Sequence, residues 1–408
     1  MISTKLFISR SSIHLRPLAS SHSLRTFATH PGSTAPSPQV ADNPSEPTRT
    51  EKKRSRYRLS PVNIPSSPEF GSNQNLPLDE DFKQQLRAVV QSFNAPVRYA
   101  FAYGSGVFRQ RGYDTKKKPM VDFILAVTHP EHWHYINIQQ NPHHYSFLRW
   151  FGSGAVSFLQ DKVGAHVYFN PYVEVNGLLI KYGVVSVDRL CKDLLDWETL
   201  YLAGRMHKPV KILRDDARVR LANQVNLTSA LRTALLMLPG QFTEEELFMT
   251  ISGFSYTGDF RMRVGENPHK VRNIVVEQME NFHRLYSPLI EDLPNVAYMR
   301  EGVIQQDENP RVRGLMVRKL PRILHAHVKH QYRSHSLSKG ERWSDDEYEL
   351  GQLIVRSPVL KQFIAEGLNT IVKGPALTQS LKGVLTAGPT RTTRYVYDKL
   401  SKWWSASS

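Results

Sequence analysis

Apolar residues along this chain change their spacing several times, and each change marks a predicted element. Over residues 78–93 they fall at helical intervals behind Asp79 and Asp81, either of which can cap a helix start. Residues 97–103 and 120–127 are short, nearly continuous apolar runs, which read as neighbouring buried strands. Residues 133–160 are mostly helical in pattern, broken by Asn141-Pro142 and by Gly152-Ser153-Gly154. Alternation returns over 166–169 and 173–185, with Asn176-Gly177 as a hairpin signal inside the latter. An αβ domain over about 78–213 follows. Beyond Val219 the pattern is mainly helical: Thr243 with Glu246 forms a capping box, and 271–285 has helical spacing. Residues 305–314 read as loop-rich, and 325–341 are crowded with Lys, Arg and His, as on a solvated or anion-facing surface.

The two ends differ from this middle. No acid precedes Asp42, while Lys5, Arg10, Arg16 and Arg25 are basic and serines are frequent, so residues 1–30 read as a mitochondrial transit peptide. A basic N-terminal tail is the other reading. Residues 31–77, rich in Pro, Ser and Thr, look like a disordered linker, with Lys52-Lys53-Arg54 a solvated charge cluster. At the other end Val396, Leu400, Trp403 and Trp404 fall on one helix face, flanked by Arg394, Lys399 and Lys402. Such a helix over 389–408 suits the headgroup region of an anionic membrane, or else docks on the protein's own core.

Composition narrows the partner. The chain has 408 residues and a formal net charge of +16; removing the four early bases leaves +12. That charge calls for nucleic acid, nucleotide or anionic lipid. With 40% hydrophobic residues a sizeable core is available, yet no apolar run reaches bilayer-spanning length. The single cysteine, Cys191, excludes an internal disulfide and a cysteine-rich zinc site, and reads as a small buried hydrophobe.

Candidate chemistry lies on the first two strands. One runs into Tyr103-Gly104-Ser105-Gly106-Val107-Phe108; the next, across a loop holding Lys116-Lys117-Lys118, carries a lone acid, Asp122, inside Met120-Val121-Asp122-Phe123-Ile124-Leu125-Ala126-Val127. Glycines let backbone N–H groups approach a triphosphate, Ser105 adds a hydroxyl, and the acid can hold a metal ion against the phosphates. This arrangement resembles nucleotidyltransferases of the polymerase-beta type. A plain glycine turn, with Asp122 at a strand edge, is the alternative. Two-metal transfer uses two or three carboxylates, and the residue two past Asp122, on the same strand face, is Ile124. A second acid must come from elsewhere: Glu174, Asp259 or Glu266, although Glu174 also reads as a solvent-facing strand residue and 255–266 as a surface turn. Lys181 interrupts an apolar strand and must reach water, a carboxylate or a phosphate. Lys208 invites the same reading. His132, His134, His143 and His144 lack an acid or cysteine at ligand spacing and read as packing or surface residues.

These motifs in their order carry a more specific resemblance. Tyr103-Gly104-Ser105-Gly106-Val107-Phe108, Val121-Asp122-Phe123-Ile124, Asn141-Pro142-His143-His144-Tyr145-Ser146, Ile180-Lys181-Tyr182-Gly183-Val184, Ala203-Gly204-Arg205-Met206-His207-Lys208-Pro209-Val210, Ser255-Tyr256-Thr257-Gly258-Asp259 and Lys382-Gly383-Val384-Leu385-Thr386-Ala387-Gly388 resemble the mitochondrial CDP-diacylglycerol synthase (translocator assembly and maintenance protein) family. The resemblance covers about residue 78 to the C-terminus. It implies an α+β fold: a polymerase-beta-like nucleotidyltransferase domain over 78–213, a mostly helical, winged-helix-like domain over 214–388, and the C-terminal amphipathic helix. It also implies peripheral attachment to the matrix side of the mitochondrial inner membrane. The implied reaction joins CTP and phosphatidate with magnesium, giving CDP-diacylglycerol for cardiolipin synthesis, with no nucleic acid as partner. Ile124 is then a family trait. Under this resemblance Tyr103, Gly104, Ser105, Gly106 and Lys208 bind substrate, Asp122 and Asp259 hold magnesium, and Lys181 meets a phosphate. Arg394, Lys399, Lys402, Trp403 and Trp404 meet anionic lipid. Two rivals keep the fold: a mitochondrial RNA nucleotidyltransferase, and a non-catalytic membrane-bound assembly factor.

Overall fold

The computed structural model describes residues 65, 67, 69–108, 119–259, 269–299, 302–340 and 342–388. The expected transit peptide, most of the expected linker, Lys116-Lys117-Lys118, Glu266 and the C-terminal helix with Arg394, Lys399, Lys402, Trp403 and Trp404 lie outside the described residues.

The described chain is α+β. Packing begins before the first helix: Leu76 is buried, and the Gln74 amide donates to the Arg220 carbonyl (3.0 Å) and the Gln224 side chain (2.8 Å). Helix α1 is Glu80–Gln91, and Asp79 caps it by accepting from the Phe82 amide at 2.9 Å. Strands β1 (Tyr99–Tyr103) and β2 (Val121–Val127) follow, then α2 (Pro130–Gln140), a 3-10 turn Phe147–Phe151 and α3 (Gly152–Lys162). The Gly152-Ser153-Gly154 cluster therefore opens a helix where its composition suggests a break, and Gly152 supplies the positive φ of 78° at that entry. Strands β3 (Tyr168–Val175) and β4 (Leu178–Ser186) form the hairpin expected from Asn176-Gly177, both at positive φ (50° and 74°). Helices α4 (Val187–Asp196) and α5 (Ala203–Met206) lead to β5 (Val210–Arg214).

These strands form one sheet in the order β3-β4-β2-β1-β5, with β2 and β4 parallel and the other neighbours antiparallel. Each central strand is buried on both sides. Ala100, Ala102, Val121, Phe123 and Leu125 face a core shared with α1 and α2. Tyr99, Phe101, Ile124 and Ala126 face the other way, into a larger core shared with the helices that follow. Ile124, the residue that replaces a second strand acid, is fully buried there.

The remaining elements are α6 (Ala217–Met237), β6 (Gln241–Thr243), α7 (Glu244–Gly253), α8 (Lys270–Glu277), α9 (Met279–Glu291), β7 (Val296–Tyr298), β8 (Val303–Gln306), α10 (Pro310–Arg318), α11 (Arg322–Lys339), α12 (Glu347–Arg356) and α13 (Leu360–Ala387). The Thr243–Glu246 capping box is formed in full. The stretch that reads as loop-rich instead holds β8, which pairs with β6 and β7 in a small sheet, and the start of α10, capped by Asn309. Its strand is four residues long and gains its partners from distant segments, so local pattern does not reveal it. On α11 the residues Leu324, Val328, Tyr332 and Ser336 are buried at four-residue spacing, which leaves the cationic residues on the open face.

Candidate active site

Strand register gathers the first candidates. Tyr103 on β1 pairs with Asp122 on β2, and Asp122 pairs with Lys181 on β4, so three neighbouring strands present a phenol, a carboxylate and an ammonium in one row. Lys181 Nζ lies 3.5 Å from Asp122 Oδ1 and 4.6 Å from the centre of the Phe169 ring. The glycine turn folds over this row. Gly104 has φ of 82°, and a Cβ there would stand 3.5 Å from Asp122 Oδ2; a Cβ on Gly106 would meet the Met120 carbonyl at 2.7 Å. Both glycines are thus required, one by its dihedral and one by close backbone approach. The Val107 and Phe108 amides donate to the Gly104 carbonyl, each at 3.0 Å, which fixes the turn around Ser105.

Helix α5 extends the row. Arg205 Nε donates to the Tyr103 hydroxyl at 3.1 Å, and its guanidinium stacks 3.8 Å from the Tyr201 ring centre. Burial pushes the Tyr103 phenol up to about 12, so it stays protonated near neutrality. One turn on, Lys208 donates to the Gly204 carbonyl and to Ser255 Oγ (2.9 Å) and stands 5.0 Å from the Tyr256 ring centre. Lys270 approaches the same ring at 5.5 Å. Burial, reinforced by the charges of Arg205 and Lys270, brings the Lys208 ammonium down to about 7. A Cβ on Gly204 would meet Ser255 Cβ at 2.4 Å, so this glycine lets α5 and the turn at 255 touch. That contact links two of the sequence motifs physically.

Asp259 is buried at the end of that turn, where its amide donates to the Tyr256 carbonyl at 3.1 Å. Glu174 is exposed on β3. Among the described residues there is no group of three or more His, Cys, Asp or Glu able to hold a metal ion. Cys191 is buried, and burial pushes its thiol up to about 12. The histidines belong to a different cluster. His134 Nδ1 lies 2.8 Å from the Tyr145 hydroxyl and its Nε2 2.9 Å from Gln160 Oε1, while Asn137 Nδ2 donates to the Tyr145 (3.0 Å) and Tyr182 (2.9 Å) hydroxyls. His144 Nδ1 lies 3.0 Å from the Tyr182 hydroxyl. His134 and His144 are packing residues.

Sequence reading passes over the residues that hold α5 in place. The buried Asp193 carboxylate, at the end of α4, accepts from the backbone amides of Thr199 (2.7 Å), Leu200 (3.0 Å), Leu202 (2.9 Å) and Ala203 (3.0 Å). It thereby stabilises a segment in which Trp197 and Leu200 take positive φ (55° and 54°). From the other side Asn226 of α6 accepts from Trp197 Nε1 (2.8 Å), lies 2.9 Å from His207 Nε2 and donates to the Ala203 carbonyl (3.2 Å). Arg205 and Tyr201 meet locally, one turn apart, while the links from Arg205 to Tyr103 and from Asn226 to Trp197 and His207 are tertiary. The one local signal is an acid on the buried face of an amphipathic helix.

The row can therefore receive an extended, multiply charged anion: a glycine turn, one carboxylate, and Lys181, Arg205, Lys208 and Lys270 around it. Comparison with known proteins agrees with that chemistry. The family described as "Phosphatidate cytidylyltransferase, mitochondrial" matches residues 86–402. Proteins of that name from Xenopus laevis and Schizosaccharomyces pombe are 41% and 40% identical to this chain, over 80% and 81% of it and over 97% and 86% of their own lengths. The protein of that name from Saccharomyces cerevisiae is 46% identical over 58% of this chain and 63% of its own.

Proposed function

The chain belongs to the mitochondrial phosphatidate cytidylyltransferase family, and on that premise we propose that it makes CDP-diacylglycerol and pyrophosphate from CTP and phosphatidate. The observation that carries this reading is the row Tyr103–Asp122–Lys181 beneath the glycine turn, continued by Arg205 and Lys208.

In this reading a phosphate oxygen of phosphatidate attacks the α-phosphorus of CTP. The bond from that phosphorus to the β-phosphate oxygen breaks, and pyrophosphate leaves with the electron pair. The attacking phosphate is already ionised, so no strong general base is needed. The site's work is alignment and charge neutralisation. The Ser105 and Gly106 amides and the Ser105 hydroxyl face the triphosphate. Lys181 exchanges its 3.5 Å contact with Asp122 for a phosphate oxygen. Arg205 and Lys208 meet the charge that develops on the leaving pyrophosphate, and Lys208 gains its proton fully when that anion arrives.

Magnesium fits this donor set, because it takes one or two carboxylates and completes its shell with phosphate oxygens and water. Asp122 would be the first such carboxylate, and we propose Asp259, from the turn at 255, as the second. When bound, the ion neutralises triphosphate charge and orients the α-phosphorus. Replacing Asp259 by Ala should lower turnover; an unchanged rate would place the second ligand elsewhere.

The sheet order and the glycine turn support a polymerase-beta-like nucleotidyltransferase domain. The small sheet β6-β8-β7 among helices supports a winged-helix-like second part. No helix among the described residues is long and apolar enough to cross a membrane. We place the protein peripherally on the matrix side of the mitochondrial inner membrane, held in part by the segment 389–408 and delivered by residues 1–30. The test is incubation of the chain with radiolabelled CTP, magnesium and phosphatidate in anionic vesicles, with RNA in a parallel reaction. Label entering lipid only when phosphatidate is present supports the reading. Label in RNA points to an RNA nucleotidyltransferase, and no transfer to a non-catalytic assembly factor.

A further inference from the structure

On α13 and α3, apolar side chains stand in solvent where a soluble protein places polar ones. On α13 the buried face is Ala376, Gln379, Lys382 and Thr386, while Leu377, Leu381, Val384 and Leu385 are 47%, 61%, 51% and 50% exposed. Their spacing of four, seven and eight residues makes one open stripe. A second stripe lies beside it. Trp150 and Phe151 at the entry to α3 are 76% and 67% exposed, and Phe158, two turns further, is 64% exposed.

Specific bonds place the two stripes side by side. The Ser146 hydroxyl donates to the Leu385 carbonyl at 3.2 Å. The buried Lys382 ammonium reaches the Leu159 and Gln160 carbonyls near the end of α3, each at 3.4 Å, a cation set against a helix C-terminus. The rim is basic: Arg149 lies 5.8 Å from the Trp150 ring centre, and Lys162 and Lys373 are exposed in line with the two stripes. No acid follows Glu366 on α13. Aromatic and aliphatic side chains ringed by Arg and Lys match the headgroup boundary of an anionic bilayer.

A Cβ on Gly388 would stand 3.5 Å from Ser146 Cβ, so the end of α13 lies against the turn that leads into α3. We propose that the surface made by Trp150, Phe151, Phe158, Leu377, Leu381 and Leu385 docks into an anionic lipid bilayer. The proposal rests on the reading that the acceptor is a membrane lipid, and it makes the folded body itself, besides its tail, the membrane anchor.

The test uses the full chain carrying Trp150→Ser, Phe151→Ser and Leu381→Ser, all exposed positions. Binding to phosphatidylcholine–cardiolipin vesicles should weaken by about two orders of magnitude, as loss of three inserted side chains demands. Transfer from CTP to a short-chain, water-soluble phosphatidate should stay at the parent rate. Unchanged vesicle binding overturns the docking surface. Failure of the parent chain to use the soluble phosphatidate would instead overturn the cytidylyl reading, and the two failures are distinct. A second measurement uses the burial of Cys191: a polarity-sensitive dye on Phe158→Cys should shift to an apolar signal on adding vesicles. A dye already in an apolar setting without lipid, and unmoved by it, means that the tail or a second copy covers the patch, and the proposal falls.

Discussion

Lys181 and Tyr182 are neighbours on β4, and they belong to two polar clusters that behave in opposite ways. The Tyr182 hydroxyl faces the core shared with α1 and α2, where it meets Asn137 and His144, and Tyr145, His134 and Gln160 extend the hydrogen-bonded cluster. Lys181 faces the other side, toward Asp122 and Phe169, in a row where positive charge collects around one carboxylate and three tyrosines, Tyr103, Tyr201 and Tyr256. The first cluster is buried, its side chains hydrogen-bond to one another, and it serves packing. Among the described residues, the second gathers Lys181, Arg205, Lys208 and Lys270 beside Asp122, an arrangement suited to an anion. Histidine content alone would have pointed to the first; the gathering of cations points to the second.

Mutations that separate stability from activity test this contrast. The largest effect expected is at Asp122. Asp122→Asn should lower cytidylyl transfer about a thousandfold while the thermal midpoint moves little, because the side chain keeps its shape and loses its charge. A large drop in the midpoint would make Asp122 structural. Asp193→Ala should act in reverse, costing about 3–4 kcal/mol of stability by orphaning four buried amides, measured by denaturant unfolding. Unaltered stability would show that the α4–α5 segment is held by other contacts.

His134→Leu should cost about 2–3 kcal/mol and leave turnover per folded molecule intact. It also carries a pH signature. Burial brings the His134 imidazole down to about 4, so the unfolded chain binds a proton between its ordinary value near 6.5 and about 4 while the folded chain does not. Stability from this group is complete above that window and is lost as pH falls through it. The His134→Leu chain should therefore show a flatter acid profile over pH 4–6.5; an unchanged profile would mean His134 is charged in the fold. The smallest effect is at Lys208. Lys208→Met should raise the KM for CTP about tenfold, and the proton uptake on CTP binding above pH 7 should disappear, read by calorimetry in buffers of different ionisation enthalpy. Persistent uptake would assign that proton to another group.

The sequence makes some of this legible. Asp122 and Lys181 can be anticipated because each interrupts an apolar strand, and burial of such groups demands a reason; Tyr103 is reached through the family resemblance. The caps at Asp79 and Thr243 and the Asn176-Gly177 hairpin are local devices and are read locally. Arg205 and Tyr201 escape because nothing near them in sequence says that they will meet Tyr103. Asp193 and Asn226 escape because the fold alone brings their partners to them, backbone amides for Asp193 and chiefly the Trp197 and His207 side chains for Asn226. Residues 271–285 read as one helix but divide into α8 and α9 at Gln278, where the backbone leaves helical geometry. The motif from Lys382 to Gly388 is legible as a resemblance, yet its physical role, anchoring α13 to α3, required the structure.

The most direct test of the contrast between the two clusters is label transfer from CTP to phosphatidate by Asp122→Asn and His134→Leu chains, side by side, normalised to folded protein. The account predicts no detectable lipid label from the first and the parent rate from the second. Parent-rate transfer by Asp122→Asn, or loss of transfer in folded His134→Leu, would contradict it.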